Sequence, residues 1–146
     1  MDGETGLSGE VVRAAVQVHR HLGPGLLESA YRACLVQELV MRGLLVESEV
    51  ALPVSYRGVK LECGYRIDLL VEQRLIVELK SVDALEPLHT AQVLTYMRLA
   101  RKPLGILINF NVRLLKHGLR RVILSDSPSS SSSSSSSSYP SSSPSS

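Results

Sequence analysis

One run of six residues, Leu75-Ile-Val-Glu-Leu-Lys80, constrains the fold of this chain more than any other segment. Four of the six are aliphatic and the run follows a turn-like Glu72-Gln-Arg74, which predicts a β-strand. Because strand side chains alternate, one face carries only aliphatic groups, whereas Ile76, Glu78 and Lys80 share the other. Aliphatic side chains on both faces indicate a strand that is covered on both sides. Glu78 and Lys80 therefore enter a poorly solvated place, which is costly unless they are paired or bind a metal.

A second carboxylate, Asp68, lies on the segment Gly64-Tyr-Arg-Ile-Asp-Leu-Leu-Val71, which predicts the preceding strand. Alternation places Asp68 on one face with Arg66 and Leu70. The other face is expected to carry Ile67, Leu69 and Val71. A hairpin around Gln73 has a register that sets Asp68 beside the face of Glu78, and the spacing permits this register without fixing it.

Paired carboxylates with an open side suit Mg²⁺ or Mn²⁺, because these hard cations take oxygen ligands and keep positions for water and substrate phosphate. A nearby ammonium such as Lys80 can orient an attacking water or stabilise charge on a phosphoryl group. The other interpretation is electrostatic: Glu78 and Lys80 neutralise each other, and Asp68 pairs with Arg66 or Lys80. These residues alone leave both interpretations open.

The order of these residues resembles a known pattern. Asp68 followed by Glu78-Leu-Lys80 is similar to the D…(D/E)-x-K core of the PD-(D/E)XK nuclease superfamily, although Ile67 stands where the superfamily name has Pro. Gly25-Leu-Leu-Glu28-Ser-Ala-Tyr31 resembles the signature of the GxxExxY proteins, a branch of that superfamily. The resemblance covers roughly residues 10–124. It also includes Leu22-Gly-Pro-Gly25, Asp68-Leu-Leu-Val71, Ala91-Gln92 through Tyr96, and Ile108-Asn-Phe110.

The resemblance implies an α/β fold (an α+β mixed sheet) with a restriction-endonuclease-like αβββαβ core and an extra N-terminal helix. It implies a divalent-metal-dependent nuclease that hydrolyses phosphodiester bonds, with DNA as the substrate by analogy. Asp68 and Glu78 would ligate Mg²⁺ or Mn²⁺, Glu28 would be a further ligand or an outer-shell carboxylate, and Lys80 would orient water. The alternative is a non-catalytic module that binds nucleic acid or a partner and retains the fold.

Two predicted helices frame this site. On the first, Glu28 suits the positive end of the helix dipole, and the resemblance assigns it to the metal site. Tyr31, one turn later, either contacts Glu28 or a phosphate, or belongs to the core. On the second, Gln92 and Tyr96 share a stripe with His89, which is either a proton carrier or a solvated residue at the helix start. The Q-x-x-x-Y spacing of Gln92 and Tyr96 resembles a motif that positions substrate or the catalytic lysine.

Periodicity predicts three helices and a set of strands. The helices are Glu10 to His21, Leu26 to Arg42 and Leu88 to Ala100. The strands are Glu49 to Tyr56, a segment from Lys60 that runs continuously or bends at Gly64 into the Asp68 segment, Leu75 to Ser81, Leu104 to Phe110 and Arg120 to Leu124.

Composition predicts one domain over residues 1–124, a length that can bury a core. Residues 125–146 include seventeen Ser and little that can be buried, so we predict a disordered tail there. No apolar block is long enough to span a bilayer and no signal pattern opens the chain, so we expect a cytoplasmic protein without a membrane partner. Cys34 and Cys63 lack metal-binding spacing and are expected to be reduced core thiols.

The net charge of +2, with twelve Arg and four Lys, permits nucleic-acid binding without arguing for it. Acidic and basic residues alternate along much of the chain, so a nucleic-acid face would have to be assembled by the fold. Its candidates are Arg13, Arg20, Arg57, Arg113, Lys116, Arg120 and Arg121. A domain of this size offers little surface to grip a nucleic acid, and self-association as a homodimer is a further hypothesis.

Overall fold

The computed structural model describes residues 6–124, which form three α-helices, seven β-strands and one 3₁₀ helix. The helices are α1 (Leu7–Leu22), α2 (Glu28–Met41) and α3 (Pro87–Ala100), with the 3₁₀ helix at Leu115–Gly118. The strands are β1 (Val46–Ala51), β2 (Val54–Tyr56), β3 (Val59–Leu61), β4 (Arg66–Val71), β5 (Leu75–Lys80), β6 (Leu104–Asn109) and β7 (Leu119–Ile123). The tail predicted at residues 125–146 lies outside the described residues.

A five-stranded mixed sheet, ordered β1-β4-β5-β6-β7, forms the centre of the fold. Strands β5 and β6 are parallel and are connected through α3, whereas the other neighbours pair antiparallel. Strands β2 and β3 form a separate antiparallel hairpin. The predicted α/β class, with a mixed sheet and an extra helix at the N-terminal side, is therefore confirmed.

Both faces of the sheet are covered, as the aliphatic pattern of β5 predicts. On one face Leu75, Val77 and Leu79 pack in a core cluster with residues of α1 and α2. On the other face Ile76 packs in a second cluster with Val93 and Met97 of α3 and with other buried residues. Burying one such side chain fully contributes about 1.5–3 kcal/mol, so β5 is held firmly at the centre of the sheet.

Helix α3 lies very close to β6, because Gly105 has no side chain. A Cβ at Gly105 would lie 2.6 Å from the sulfur of Met97 and 2.9 Å from a methyl group of Val93. The start of α3 is fixed by a capping box in which Glu86 and His89 bind each other's backbone N–H. These two features set the position of the helix that carries Gln92 and Tyr96.

The prediction of one strand from Glu49 to Tyr56 is wrong. Strand β1 ends at Ala51 and β2 starts at Val54, because Pro53 has no N–H for a ladder. The N–H of Leu52 instead binds the carbonyl oxygen of Tyr65. Of the two alternatives for the segment from Lys60, the structure shows the bend: β3 ends at Leu61, and Gly64 has a φ of 84° before β4 begins.

Two further expectations need correction. Ile67 was expected on the face of Leu69 and Val71, but it packs in the second cluster with Leu70 and Ile76. The regular alternation of β4 is thus interrupted between Ile67 and Leu69, which is where Asp68 lies. The two cysteines, Cys34 and Cys63, are free thiols, but they are exposed rather than part of the core.

Candidate active site

Asp68 and Glu78 meet where the ladder between β4 and β5 ends. The register pairs Leu69 with Val77 and Leu70 with Ile76, so one more step sets Asp68 opposite Glu78. At this position the two carboxylates, rather than backbone carbonyl oxygens, accept hydrogen bonds from the backbone of the opposite strand. The N–H of Asp68 donates to Glu78 Oε2 at 3.0 Å, and the N–H of Leu79 donates to Asp68 Oδ2 at 2.8 Å. Each carboxylate is therefore fixed by the backbone of the opposite strand.

The environment of Glu78 is unfavourable for a second negative charge. Its side chain is only 4% exposed. Burial and then the charge of Asp68 raise the pKa of Glu78 to about 8, although the N–H of Asp68 and the charge of Lys80 act in the opposite direction. In the metal-free protein near neutral pH, the pair of carboxylates therefore tends to hold a proton on Glu78.

The donor set of this pair fits a hard divalent cation. One oxygen of each carboxylate accepts a hydrogen bond from a backbone N–H, and the second oxygen of Asp68, Oδ1, lies 3.7 Å from the guanidinium group of Arg32. Mg²⁺ is commonly bound by one or two carboxylates, with its other positions left to water and substrate phosphate. A cation bound between Asp68 and Glu78 would offset the charge that now raises the pKa of Glu78.

Glu28 is not brought to this pair. The described part of the chain contains no group of three or more His, Cys, Asp or Glu side chains that could hold a metal ion. Glu28 is half-buried and is the first residue of α2, one turn before Arg32, which does contact Asp68. The helix face of Glu28 thus turns towards the site, while its role as a metal ligand stays a prediction.

A chain of polar contacts joins the end of β5 to α3. Lys80 Nζ donates to Gln92 Oε1 at 3.5 Å, and Gln92 Nε2 donates to the Tyr96 hydroxyl at 3.3 Å. Burial, followed by the charges of Glu78 and other groups, raises the pKa of Tyr96, so its hydroxyl keeps the proton. The predicted stripe of Gln92 and Tyr96 therefore lies beside the lysine. Within residues 6–124, Lys80 makes no ion pair with Glu78 or with Asp68.

A cleft of about 530 Å³ opens beside this chain of contacts. Lys80, Gln92 and Tyr96 line it, together with Tyr65, whose ring lies edge-on to that of Tyr96 with 6.0 Å between the centroids. Because Tyr65 is 45% exposed, its ring also faces solvent at the entrance. The cleft gives a substrate access to the side of the site on which Lys80 lies.

Sequence reasoning missed Arg32 and Glu49. Arg32 lies between two carboxylates: one guanidinium nitrogen is 2.7 Å from Glu49 Oε2 and another is 3.7 Å from Asp68 Oδ1. Glu49 lies opposite Asp68 in the register of β1 and β4, with a φ of 54° that is uncommon for a side-chain-bearing residue. The spacing of four from Glu28 was the available signal for Arg32, whereas Glu49 required the strand register.

Replacing Arg32 with Met is expected to tighten Mn²⁺ binding about three- to tenfold, because the guanidinium group 3.7 Å from Asp68 Oδ1 competes for this carboxylate in an ion pair that is worth on the order of 1 kcal/mol. Isothermal calorimetry of the metal-free protein measures this change. Arg13→Met is the matched control, since Arg13 pairs with Glu10 on the exposed side of α1. Unchanged or weaker Mn²⁺ binding by the Arg32 variant would contradict the geometry.

Tyr31 lies in the core, the alternative in which it does not reach a phosphate. It is fully buried and stacks on Phe110 with 4.4 Å between the ring centroids. Its hydroxyl donates to the carbonyl oxygen of Gly23 at 2.5 Å and accepts from the N–H of Leu26 at 3.2 Å. Tyr31 thus fixes the turn before α2, and a substrate-binding role for it has no support in this geometry.

The side chains of His89, His19 and Asn109 make structural contacts. His89 Nδ1 accepts from the N–H of Glu86, so it caps α3 while it also borders the cleft. Buried His19 contacts the carbonyl oxygen of Val112 through Nε2. Asn109 accepts a hydrogen bond from the N–H of Val82 and donates one to its carbonyl oxygen, so it joins the end of β6 to the segment after β5. Asp68 pairs with Arg32 and with neither of the partners considered from the sequence.

A protein-family model covers most of this chain, including the candidate site. A family model described as the PD-(D/E)XK nuclease superfamily matches residues 5–122. No curated protein and no solved structure matches the chain. The matched range contains every candidate residue of the site, and the mixed five-stranded sheet with three helices is consistent with the restriction-endonuclease-like fold. The chain belongs to the PD-(D/E)XK nuclease superfamily.

Proposed function

We propose that this protein is a divalent-metal-dependent nuclease that hydrolyses phosphodiester bonds in DNA. Superfamily membership supports a nuclease-type function and nucleic-acid binding in general. The observation that carries the finer proposal is the pair of Asp68 and Glu78, two adjacent carboxylates that are each fixed by a backbone N–H of the opposite strand. Mg²⁺ or Mn²⁺ fits this donor set.

Each residue of the proposed site has a distinct task. Asp68 and Glu78 hold the cation, which supplies charge neutralisation and Lewis acidity towards a phosphoryl oxygen when it is bound. Lys80 orients the attacking water and balances negative charge that develops on the phosphate. Gln92 holds the lysine, and Tyr96 holds Gln92 through its hydroxyl. Glu28 is proposed as an outer-shell carboxylate on the neighbouring helix.

The second candidate is a non-catalytic module that binds nucleic acid or a partner. Lys80, which forms no ion pair within residues 6–124, lies beside the buried carboxylate of Glu78 and the half-buried one of Asp68, and this costly arrangement favours catalysis over simple binding. Three narrower assignments also stay proposals: membership of the GxxExxY branch, a homodimer, and a cytoplasmic location. Among residues 6–124, no helix combines the length and apolar character needed to cross a bilayer.

Cleavage of labelled DNA tests the function. The unmodified protein is expected to cut single- or double-stranded DNA with Mg²⁺ or Mn²⁺ and to stop when EDTA is added. Asp68→Asn keeps an oxygen for the N–H of Leu79 but removes the charge, so cleavage should fall at least about a hundredfold. RNA of the same sequence tests the preference for DNA.

The control is Glu47→Gln, which makes the same chemical change at an exposed residue of β1. Calorimetry with Mn²⁺ is run on all three proteins. Equal cutting by the unmodified protein and the Asp68 variant would refute the catalytic assignment, as would an unmodified protein that does not bind metal. DNA binding without cleavage in either metal would support the binding module instead.

A further inference from the structure

A second cleft, of about 570 Å³, lies outside the proposed catalytic site. It is bordered by the end of α1, by the turn at Gly23 and Pro24, and by residues that precede and begin the 3₁₀ helix. Three cations line it: Arg20 from α1, Arg113 from the loop after β6, and Lys116 from the 3₁₀ helix. No acidic side chain is among its lining residues.

The three cations have no internal partner among the described residues, unlike Arg13 of α1. Within residues 6–124, Arg20, Arg113 and Lys116 make no ion pair and no side-chain hydrogen bond, and all three are exposed. By contrast, Arg13 and Arg42 are each paired with a glutamate. An anion that enters this cleft therefore has no internal carboxylate to displace.

The part of the chain that supplies Arg113 and Lys116 carries basic side chains but no acidic ones. No Asp or Glu occurs between Glu86 and Asp126, whereas seven Arg or Lys residues do. The helix dipole accounts for a cation such as Arg20 in the last turn of α1. It does not account for Arg113 and Lys116, which reach the same cleft from another part of the chain.

The turn that borders this cleft is anchored to the proposed catalytic site. Gly23, at the cleft, accepts the hydroxyl of Tyr31 at 2.5 Å. Three residues later the carbonyl oxygen of Leu26 accepts the hydroxyl of Ser81 at 2.6 Å, and Ser81 directly follows Lys80. The first hydrogen bond thus holds the turn to α2, and the second holds it to the residue that follows β5.

We propose that Arg20, Arg113 and Lys116 form a phosphate-binding subsite for the backbone of the nucleic acid that is cleaved at Asp68 and Glu78. This inference rests on the proposed function. The guanidinium groups suit bidentate contacts with phosphate oxygens, and the ammonium adds a point charge. The subsite takes a phosphodiester away from the scissile one, so it adds affinity and register without reading sequence.

The salt dependence of DNA binding tests the subsite without requiring cleavage. Fluorescence anisotropy of a labelled oligonucleotide is measured in EDTA over a series of salt concentrations. The double variant Arg113→Gln/Lys116→Gln is expected to bind about tenfold more weakly, and the slope of log K against log salt should decrease by about two. Its melting temperature should not change, because both side chains are exposed and unpaired.

The double variant Arg98→Gln/Arg101→Gln is the matched control, because it removes the same charge from exposed positions at the end of α3. Equal slopes for both double variants would show only a net-charge effect and would overturn the subsite. Inorganic phosphate that competes as well as the oligonucleotide would also overturn it, in favour of a small phosphate ligand. Unmodified protein that shows the predicted slopes but never cuts DNA would refute the proposed catalysis and leave the subsite standing.

Discussion

At pH 8, the metal-free Glu78→Gln variant is expected to be more stable than the unmodified protein, on the order of a few kcal/mol, even though it loses a proposed metal ligand. Burial and the charge of Asp68 raise the pKa of Glu78 to about 8 in the folded protein, whereas the ordinary value is 4.5. One unit of pKa corresponds to about 1.4 kcal/mol of differential stability. Gln is neutral at every pH, so it avoids the cost that ionised Glu78 imposes.

The direction of this pH dependence of stability follows from proton binding by Glu78 in the folded and unfolded states. Between pH 4.5 and 8 the unfolded chain releases the proton of Glu78 while the folded chain keeps it, so ionisation stabilises the unfolded state progressively. The unmodified protein therefore loses stability as the pH rises through this window, and the loss levels off above about pH 8. The difference between variant and unmodified protein isolates Glu78, because the two proteins share every other titratable group.

Urea unfolding at pH 5, 6, 7, 8 and 9 in EDTA measures the free energy of unfolding of both proteins. Glu47→Gln provides the control at an exposed position and should give a curve parallel to that of the unmodified protein. In a parallel series without EDTA, Mn²⁺ at a hundred times its dissociation constant should restore about 2.7 kcal/mol to the unmodified protein at pH 8 and nothing to Glu78→Gln. A Glu78→Gln variant that is less stable than the unmodified protein at pH 8 would contradict the claim that ionised Glu78 destabilises the metal-free protein.

The part of the fold that sequence could predict is the part set by local periodicity. The aliphatic residues of Leu75–Lys80 alternate between two covered faces, as their spacing requires, because the whole segment pairs with β6 and its first half also pairs with β4. The adjacency of Asp68 and Glu78 follows from a tight hairpin at Glu72 and Gln73, both of which have positive φ. Strand spacing permitted this register, and the packing of the aliphatic residues selected it.

What sequence could not predict depends on contacts between distant segments. Ile67 lies on the other face because regular pairing between β4 and β5 stops at Asp68. There the N–H of Asp68 donates to the side chain of Glu78 instead of to a backbone carbonyl oxygen. Arg32 reaches Asp68 and Glu49 only once α2 lies across β1 and β4. Neither the face of Ile67 nor the contacts of Arg32 can be predicted from hydrophobic periodicity, because each depends on a side-chain contact between segments that are far apart in the chain.

Replacing Lys80 with Met is expected to lower the turnover number for DNA cleavage by about 10²–10⁴, while the affinity for Mn²⁺ changes less than tenfold. Lys80 lies on the cleft side of Glu78 and makes no ion pair within the described residues, so its charge is free to act on water and phosphate. Met keeps most of the aliphatic length of the side chain. Cleavage is followed with labelled DNA under single-turnover conditions, and metal binding is measured by calorimetry.

Lys60→Met, on the exposed β3 strand, is the matched control and should leave the turnover number nearly unchanged. A parallel fall in Mn²⁺ affinity and turnover would show that Lys80 serves the folding of the site rather than the reaction. Cleavage at an unaltered rate would remove Lys80 from the mechanism.

The sequence left two roles open for Gln92: it positions either the substrate or the lysine. Combining variants of Gln92 and Lys80 distinguishes these roles. If Gln92 acts by holding Lys80, to which it lies 3.5 Å away, then Gln92→Ala should lower turnover about tenfold in the unmodified protein and have no further effect in Lys80→Met. Losses that multiply in the double variant would instead mean that Gln92 contacts the nucleic acid itself. Because Tyr96 reaches Lys80 only through Gln92 among the contacts present, Tyr96→Phe should follow the same non-additive pattern with a smaller loss.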